Sequence, residues 1–173
     1  SIVVDNASTD GSQEMVEADF PETILIQNEH NVGFGRANNQ AFVLAKGRYI
    51  GLLNSDAVLL NGAFEILLSY LDSMPSVGAV GPMLLSEDGG VDKACARGFI
   101  TLGTEFLSAI GFSDRSHDFI NKLRHPTYAY EVSQLVECLS GACMLIKREA
   151  LVENRIFDPM FFMYGEDVDL CYG

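Results

Sequence analysis

The sequence predicts an α/β fold with a mostly parallel sheet and helices on both of its faces. Two observations predict it. Apolar runs alternate with segments of helical periodicity from Ile2 to Leu85, the rhythm of successive β-α units. The runs Ile2-Val3-Val4 and Tyr49 to Leu53 are also apolar enough to be covered on both sides, as strands of parallel sheets are.

The elements follow in order. Ile2 to Val4 forms a strand that ends at Asp5, and Asn6 to Gly11 is turn chemistry. A short helix starts at Ser12 and runs to about Ala18; Pro21 punctuates, and Thr23 to Gln27 is a second strand. After the polar loop Asn28 to Asn31, Ala37, Ala41, Phe42, Leu44 and Ala45 recur at helical spacing, with Gly47 in the expected C′ position. Tyr49 to Leu53 is a third strand, followed by Asn54-Ser55-Asp56. Asn61 caps a helix from about Gly62 to Ser73, Pro75 ends it, and Val77 to Leu85 is a strand before the turn Glu87 to Gly90. From Val91 to Glu131 the rhythm is lost, which reads as an irregular insertion over the sheet edge. Strands resume at Val132 to Leu139 and Ala142 to Lys147, a short helix lies near Arg148 to Val152, and Glu166-Asp167-Val168-Asp169 starts a final helix.

The 173 residues suit one domain, with residues 1–85 as one half, 91–131 as a variable insertion and 132–173 as the other half. Both ends read as cut. Eleven Lys and Arg against 24 Asp and Glu give a net charge of −13, and no basic cluster offsets it, which disfavours nucleic acid and anionic membrane surfaces as partners. No apolar run approaches the ~20 residues of a membrane span. Cys95, Cys138, Cys143 and Cys171 lack C-x-x-C spacing and read as buried thiols of a cytoplasmic protein. His30, His117 and His125 lack paired ligand spacing and read as loop histidines.

In open parallel sheets the carboxyl ends of the strands form the ligand crevice. Asp5, the Asn54-Ser55-Asp56 triplet and Glu166-Asp167 all fall where that rim is expected. Each also has a local reading: Asp5 caps a turn, Asp56 opens one, and Glu166-Asp167 are charges favoured at a helix start. Gly33-x-Gly35-x-x-Asn38 after a strand invites a dinucleotide-binding reading, but Asn stands in the third small position and no acid follows at the expected distance. A nucleotidyltransferase would need a Gly-rich basic loop after its first strand, and none is present.

Four segments, in order and spanning most of the chain, resemble glycosyltransferase family 2 and its GT-A fold. They are Val4-Asp5-Asn6-Ala7-Ser8-Thr9-Asp10-Gly11-Ser12, Asn31-Val32-Gly33-Phe34-Gly35-Arg36-Ala37-Asn38-Asn39, Leu53-Asn54-Ser55-Asp56, and Phe162-Met163-Tyr164-Gly165-Glu166-Asp167-Val168-Asp169-Leu170-Cys171. The last is in the style of rhamnosyltransferase-like members. The resemblance implies an inverting transfer of sugar from a nucleoside-diphosphate sugar to a saccharide or lipid-linked acceptor, in cell-surface polysaccharide synthesis, with a deoxythymidine or uridine diphosphate donor. It implies that Asp5 and Asn6 bind the nucleobase side, Arg36 lies near the base or diphosphate, Asn54 replaces the first Asp of a D-x-D and Asp56 ligates Mg²⁺ or Mn²⁺. Asp167 becomes the general base, with Glu166 as second candidate, and Gly141-Ala142 leave room for sugar. Family members usually begin with a further strand and helix, so the chain reads as a fragment of the fold with one interior strand missing. An exposed edge would then favour association as a homo-oligomer, or aggregation. Association with the inner membrane face would come through regions or partners outside this chain. The alternative is a non-catalytic or degenerate sugar-nucleotide-binding module.

Overall fold

The computed structural model describes residues 1–60, 62–99, 128–152 and 155–173. The expected Asn61 cap, His117, His125 and residues 100–127 of the expected insertion lie outside them.

The elements are β1 (Ile2–Asp5), α1 (Ser12–Asp19), β2 (Ile24–Gln27), α2 (Phe34–Leu44), β3 (Tyr49–Leu53), α3 (Ala63–Ser73), β4 (Ala79–Val80), β5 (Ala96–Arg97), β6 (Cys138–Leu139), β7 (Cys143–Lys147) and α4 (Glu166–Tyr172). Short 3-10 turns occupy Lys93–Cys95 and Arg148–Ala150.

The α/β class holds, but the described strands form three separate sheets and pair in both senses. β1 and β2 are parallel, with Asp5 opposite Gln27. β7 lies between β3 and β4 and runs antiparallel to both, with Leu53 opposite Cys143 and Val80 opposite Leu145. β5 and β6 form a separate antiparallel pair. Apolar periodicity reveals that a segment is a strand but not which way it runs. The reversal puts the start of β7 beside the end of β3, so Gly141 and Ala142 arrive at the same rim as Asn54.

β7 is central because both its faces are apolar and all five residues are buried. Met144 and Ile146 pack with Phe42 of α2, Ile50 and Leu52 of β3, and Ile156 and Phe157. Leu145 points the other way, against Leu67 and Leu71 of α3. Each such side chain contributes about 1.5–3 kcal/mol by leaving water. Two cations, one ending this core strand and one just after it, close the flanking helices. Lys147 Nζ donates to the carbonyls of Met74 and Pro75 beyond α3, and Arg148 donates to Ala45 and Gly47 beyond α2 while lying over the Phe42 ring. These bonds satisfy carbonyls that a helix end leaves without partners.

The β1–β2 unit is thinner. α1 buries none of its residues, and Asp5 is the only buried residue of β1. Among the described residues, β1 pairs only with β2 and β3 only with β7.

Four sequence expectations need correction. Val77 to Leu85 contributes only the two-residue β4 and a single bridge from Leu85 to Val91, because Pro82 interrupts the run with no N–H to donate. Val132 to Leu139 is strand only at Cys138–Leu139. The Arg148 helix is one 3-10 turn. Gly47 is not the C′ residue of α2, whose cap is Ala45; Gly47 instead makes room for the Tyr49 backbone, whose carbonyl would lie 2.9 Å from an added Cβ. Among the described residues, no helix is long and apolar enough to cross a membrane.

Candidate active site

The turn after β1 is built around Asp5. Its Oδ1 accepts the Ser8 N–H at 2.9 Å and the Gln13 side-chain amide at 2.6 Å, so the local turn-capping role is real. Hydrogen bonding from the Ser8 side chain, with lesser help from Gln13 and the backbone, outweighs burial and holds this carboxyl below the usual aspartate value. Asn6 joins an amide network: its Oδ1 accepts from Asn28, which exchanges hydrogen bonds with Gln40, and its Nδ2 donates to the Gly33 carbonyl at 3.5 Å.

Gly33 precedes α2 with φ 91° and ψ 164°. An added Cβ there would lie 2.4 Å from the Phe162 carbonyl oxygen, the same oxygen that accepts the Phe34 N–H at 2.9 Å. Asn39 fastens the next segment, accepting from Ile156 and Phe157 N–H and donating to the Phe157 carbonyl. Arg36 is exposed and its Nε donates to the Pro159 carbonyl at 2.9 Å. That bond fastens the loop leading to Glu166-Asp167, and among the described residues it engages Nε, not the terminal guanidinium nitrogens.

Tyr164 and Gly165 both have positive φ, 70° and 93°, so the backbone turns sharply before α4. Strained backbone of this kind is often kept where a site needs it. The turn delivers Glu166 and Asp167 into buried positions. Asp167 Oδ2 is ion-paired with Arg97 and accepts the Gly141 N–H at 3.3 Å, while Oδ1 accepts the Val168 N–H at 2.9 Å. Glu166 differs: its Oε2 is buried with no partner among the described residues. Burial pushes its carboxyl above the ordinary glutamate value, with a smaller contribution from Asp167. α4 is further tied to β6 by the Leu139 N–H to Cys171 Sγ contact at 3.5 Å. A hydrogen bond with Cys138 lowers the Cys171 thiol to about 7.

Gly141 stands between these parts. A Cβ there would meet the Phe34 ring at 3.4 Å and Asp167 Cβ at 3.8 Å. Next to it, the Ala142 carbonyl accepts the Asn54 N–H at 2.9 Å, and the Asn54 carbonyl accepts from Ala57 in the turn that carries Asp56. A path of hydrogen bonds and close approaches therefore runs from Asn6 through Gly33 to Phe34, whose ring borders the space beside Gly141, and from Gly141 to Asp167 and through Ala142 to Asn54. Asp5 and Asp56 flank it as sequence neighbours, and Arg36 lies off it at Pro159.

Asp56 is exposed. Among the described residues no three His, Cys, Asp or Glu side chains are grouped to cage a metal. A lone open carboxylate fits a cation that takes its other oxygens from diphosphate and water, as Mg²⁺ commonly does. It does not fit a resident metal. A cavity of about 560 Å³ is lined by Tyr128, Tyr130, Leu135, Met144 and Cys171 among others, and includes none of the predicted site residues.

The sequence reading missed Arg97 and Asn39 as working residues. Asn39 was inside a quoted motif; Arg97 lies 70 positions from its partner, with only the buried flank Cys95-Ala96 to suggest that it points inward.

An α/β fold that brings Asn54, Gly141, Ala142 and Asp167 together at the end of β3 and the start of β7 defines the class, and comparison supplies the family. The sequence profile of glycosyl transferase family 2 matches residues 1–154, and the chain belongs to that family, with the GT-A fold. It is 30% identical over 190 residues to N-acetylglucosaminyl-diphospho-decaprenol L-rhamnosyltransferase of Mycobacterium tuberculosis, covering 98% of this chain and 58% of that protein. It is 26% identical over 146 residues to rhamnosyltransferase WbbL of Escherichia coli, covering 80% of this chain and 53% of the relative. The chain thus spans little more than half the length of these relatives. In fold it is similar to the mannosyltransferase PcManGT from Pyrobaculum calidifontis, solved with GDP-Man and Mn²⁺, at 20% identity and a TM-score of 0.58, covering 96% of this chain and 39% of that one. S. aureus TarS residues 1–349 give a TM-score of 0.61 at 20% identity, covering 98% and 44%.

Proposed function

We propose that this chain is the donor-binding and base-bearing part of an inverting glycosyltransferase that moves a sugar, of the rhamnose type, from a nucleoside-diphosphate sugar to a saccharide or lipid-linked acceptor. The observation that carries the reading is the contact path that unites the end of β1, the Asn54 turn, Gly141 and Asp167. The names of the relatives, with rhamnose as transferred sugar and a decaprenol diphosphate acceptor in one of them, support the substrate class.

Asp5, held ionised by its turn, accepts a hydrogen bond from the N–H of the nucleobase, and Asn6 orients that edge. The free end of Arg36 offsets diphosphate charge. Asp56, beside Asn54, would hold Mg²⁺ or Mn²⁺ together with the donor diphosphate; when bound, the cation stabilises the negative charge of the departing group. Gly141 and Ala142 keep the sugar space clear of side chains. Asp167 Oδ1 takes the proton of the acceptor hydroxyl as its oxygen bonds to the anomeric carbon and the bond from that carbon to the diphosphate oxygen breaks. One in-line displacement inverts the anomeric configuration. General-base help of this kind gives ~10²–10⁴-fold in rate.

The test is release of nucleoside diphosphate by the intact protein from a panel of sugar nucleotides, with a lipid-linked saccharide acceptor, with and without Mn²⁺. Acceptor-dependent release from one donor, lost in Asp167→Asn, is the expected result. Donor binding with no release under any condition would favour the non-catalytic module.

A further inference from the structure

We propose that Arg97 is a positioning residue for the base: with the Gly141 N–H it fixes Asp167 Oδ2, so that Oδ1 is left to receive the acceptor proton. The inference rests on the reading of Asp167 as the base and goes beyond it by assigning the group that aims it.

The two oxygens of Asp167 are used differently. Oδ2 is held by Arg97 and by Gly141, whereas Oδ1 accepts only from Val168, the next residue, among the described residues. A carboxylate oxygen has two lone-pair sites, so Oδ1 keeps one. Two different elements hold Oδ2, which restrains rotation of the carboxylate about its own bond.

Arg97 is itself well placed for this work. It sits in β5 opposite Cys138 of β6, and its carbonyl accepts from Tyr128 at 3.3 Å. β6 in turn contacts α4 through Leu139 and Cys171. The guanidinium and the helix carrying Asp167 therefore rest on one two-stranded ribbon.

Glu166 gives the cluster its asymmetry. Among the described residues, Arg97 Nε and Glu166 Oε2 are both buried without hydrogen-bond partners, and the burial of Glu166 favours its neutral form. Two adjacent carboxyl groups in different surroundings divide into different roles: Asp167 is ion-paired with the cation and accepts from Gly141 and Val168, whereas burial dominates at Glu166 over the hydrogen bond from its own backbone N–H. A half-buried ion pair gains little stability once desolvation is subtracted, so stability alone does not account for placing one of only eleven cations here.

The experiment compares Arg97→Met, Arg97→Lys, Asp167→Asn and the double variant Arg97→Met/Asp167→Asn in the intact protein, reading kcat, donor affinity and the thermal unfolding midpoint. Misaiming a reacting group costs ~10–10²-fold in rate. Arg97→Met is therefore expected to lower kcat by that factor with donor affinity kept, and Arg97→Lys, a point charge without the planar fork, to restore only part of it. In the double variant the Arg97 change adds nothing to the loss from Asp167→Asn, because Arg97 acts through that carboxylate. Multiplying losses, or weakened donor binding with kcat intact, would overturn the proposal. Should Arg97→Met fail to fold, Arg97→Lys with and without Asp167→Asn decides by the same rule. Near-normal turnover in Asp167→Asn alone would instead remove the base assignment beneath it.

Discussion

Replacing Gly33 by alanine tests how the first half of the chain is joined to the segment before α4. The backbone at Gly33, φ 91° and ψ 164°, lies in a region that glycine alone populates, and occupying it with a side chain costs about 1–3 kcal/mol. The new Cβ would also lie 2.4 Å from Phe162 O and 2.9 Å from Phe162 Cδ2. Phe162 must then withdraw, and its carbonyl leaves the Phe34 N–H that it accepts at 2.9 Å, a loss of about 0.5–1.5 kcal/mol. The sum is about 1.5–4.5 kcal/mol, a large part of the 5–15 kcal/mol that usually holds a domain together. Urea unfolding followed by circular dichroism measures it; with a slope of about 2 kcal/mol/M the midpoint falls by about 1–2 M. Gly11→Ala is the control, because Gly11 also has positive φ, 88°, but an added Cβ meets nothing within 4 Å. Its cost is limited to backbone strain, about 1–2 kcal/mol. Equal midpoints for the two variants would refute the contact argument, and an unchanged midpoint for Gly33→Ala would refute the whole estimate.

Two further perturbations separate roles within the site. Asp56→Ala should abolish the Mn²⁺-dependent part of donor binding in calorimetry and leave the unfolding midpoint unchanged, since its side chain is exposed; unaltered affinity in Mn²⁺ counts against it as the ligand. Glu166 has a folded-state value raised by burial, so its stabilising contribution is present below the ordinary glutamate value of 4.5 and is lost as pH rises through the folded-state value. Glu166→Gln should therefore raise the unfolding midpoint more at pH 8 than at pH 4, and the reverse order would show that Glu166 has a partner when ionised.

Much of this site was legible in the chain because its residues sit in short local motifs. Asp5 ends β1, Asn54 and Asp56 lie in the turn after β3, and Glu166-Asp167 start α4, and turn chemistry marks such places. Antiparallel β7 was not legible, since its apolar run reads the same in both directions. The strand expected at Val132 to Leu139 shrank to two residues, although the run itself is partly apolar. Arg97 was invisible for another reason: its role is a contact across 70 residues, and a lone arginine in an irregular stretch has no periodic signal.

The central claim is that one nucleotide site spans Asp5, Asp56 and Asp167, and a structure of the intact protein with a nucleoside diphosphate and Mn²⁺ tests it most directly. The account predicts the base against Asp5, the diphosphate and Mn²⁺ at Asp56, and Asp167 Oδ1 open toward the space beside Gly141. A nucleotide seated in the cavity beside Tyr128 and Tyr130, or a diphosphate remote from Asp56, would contradict it.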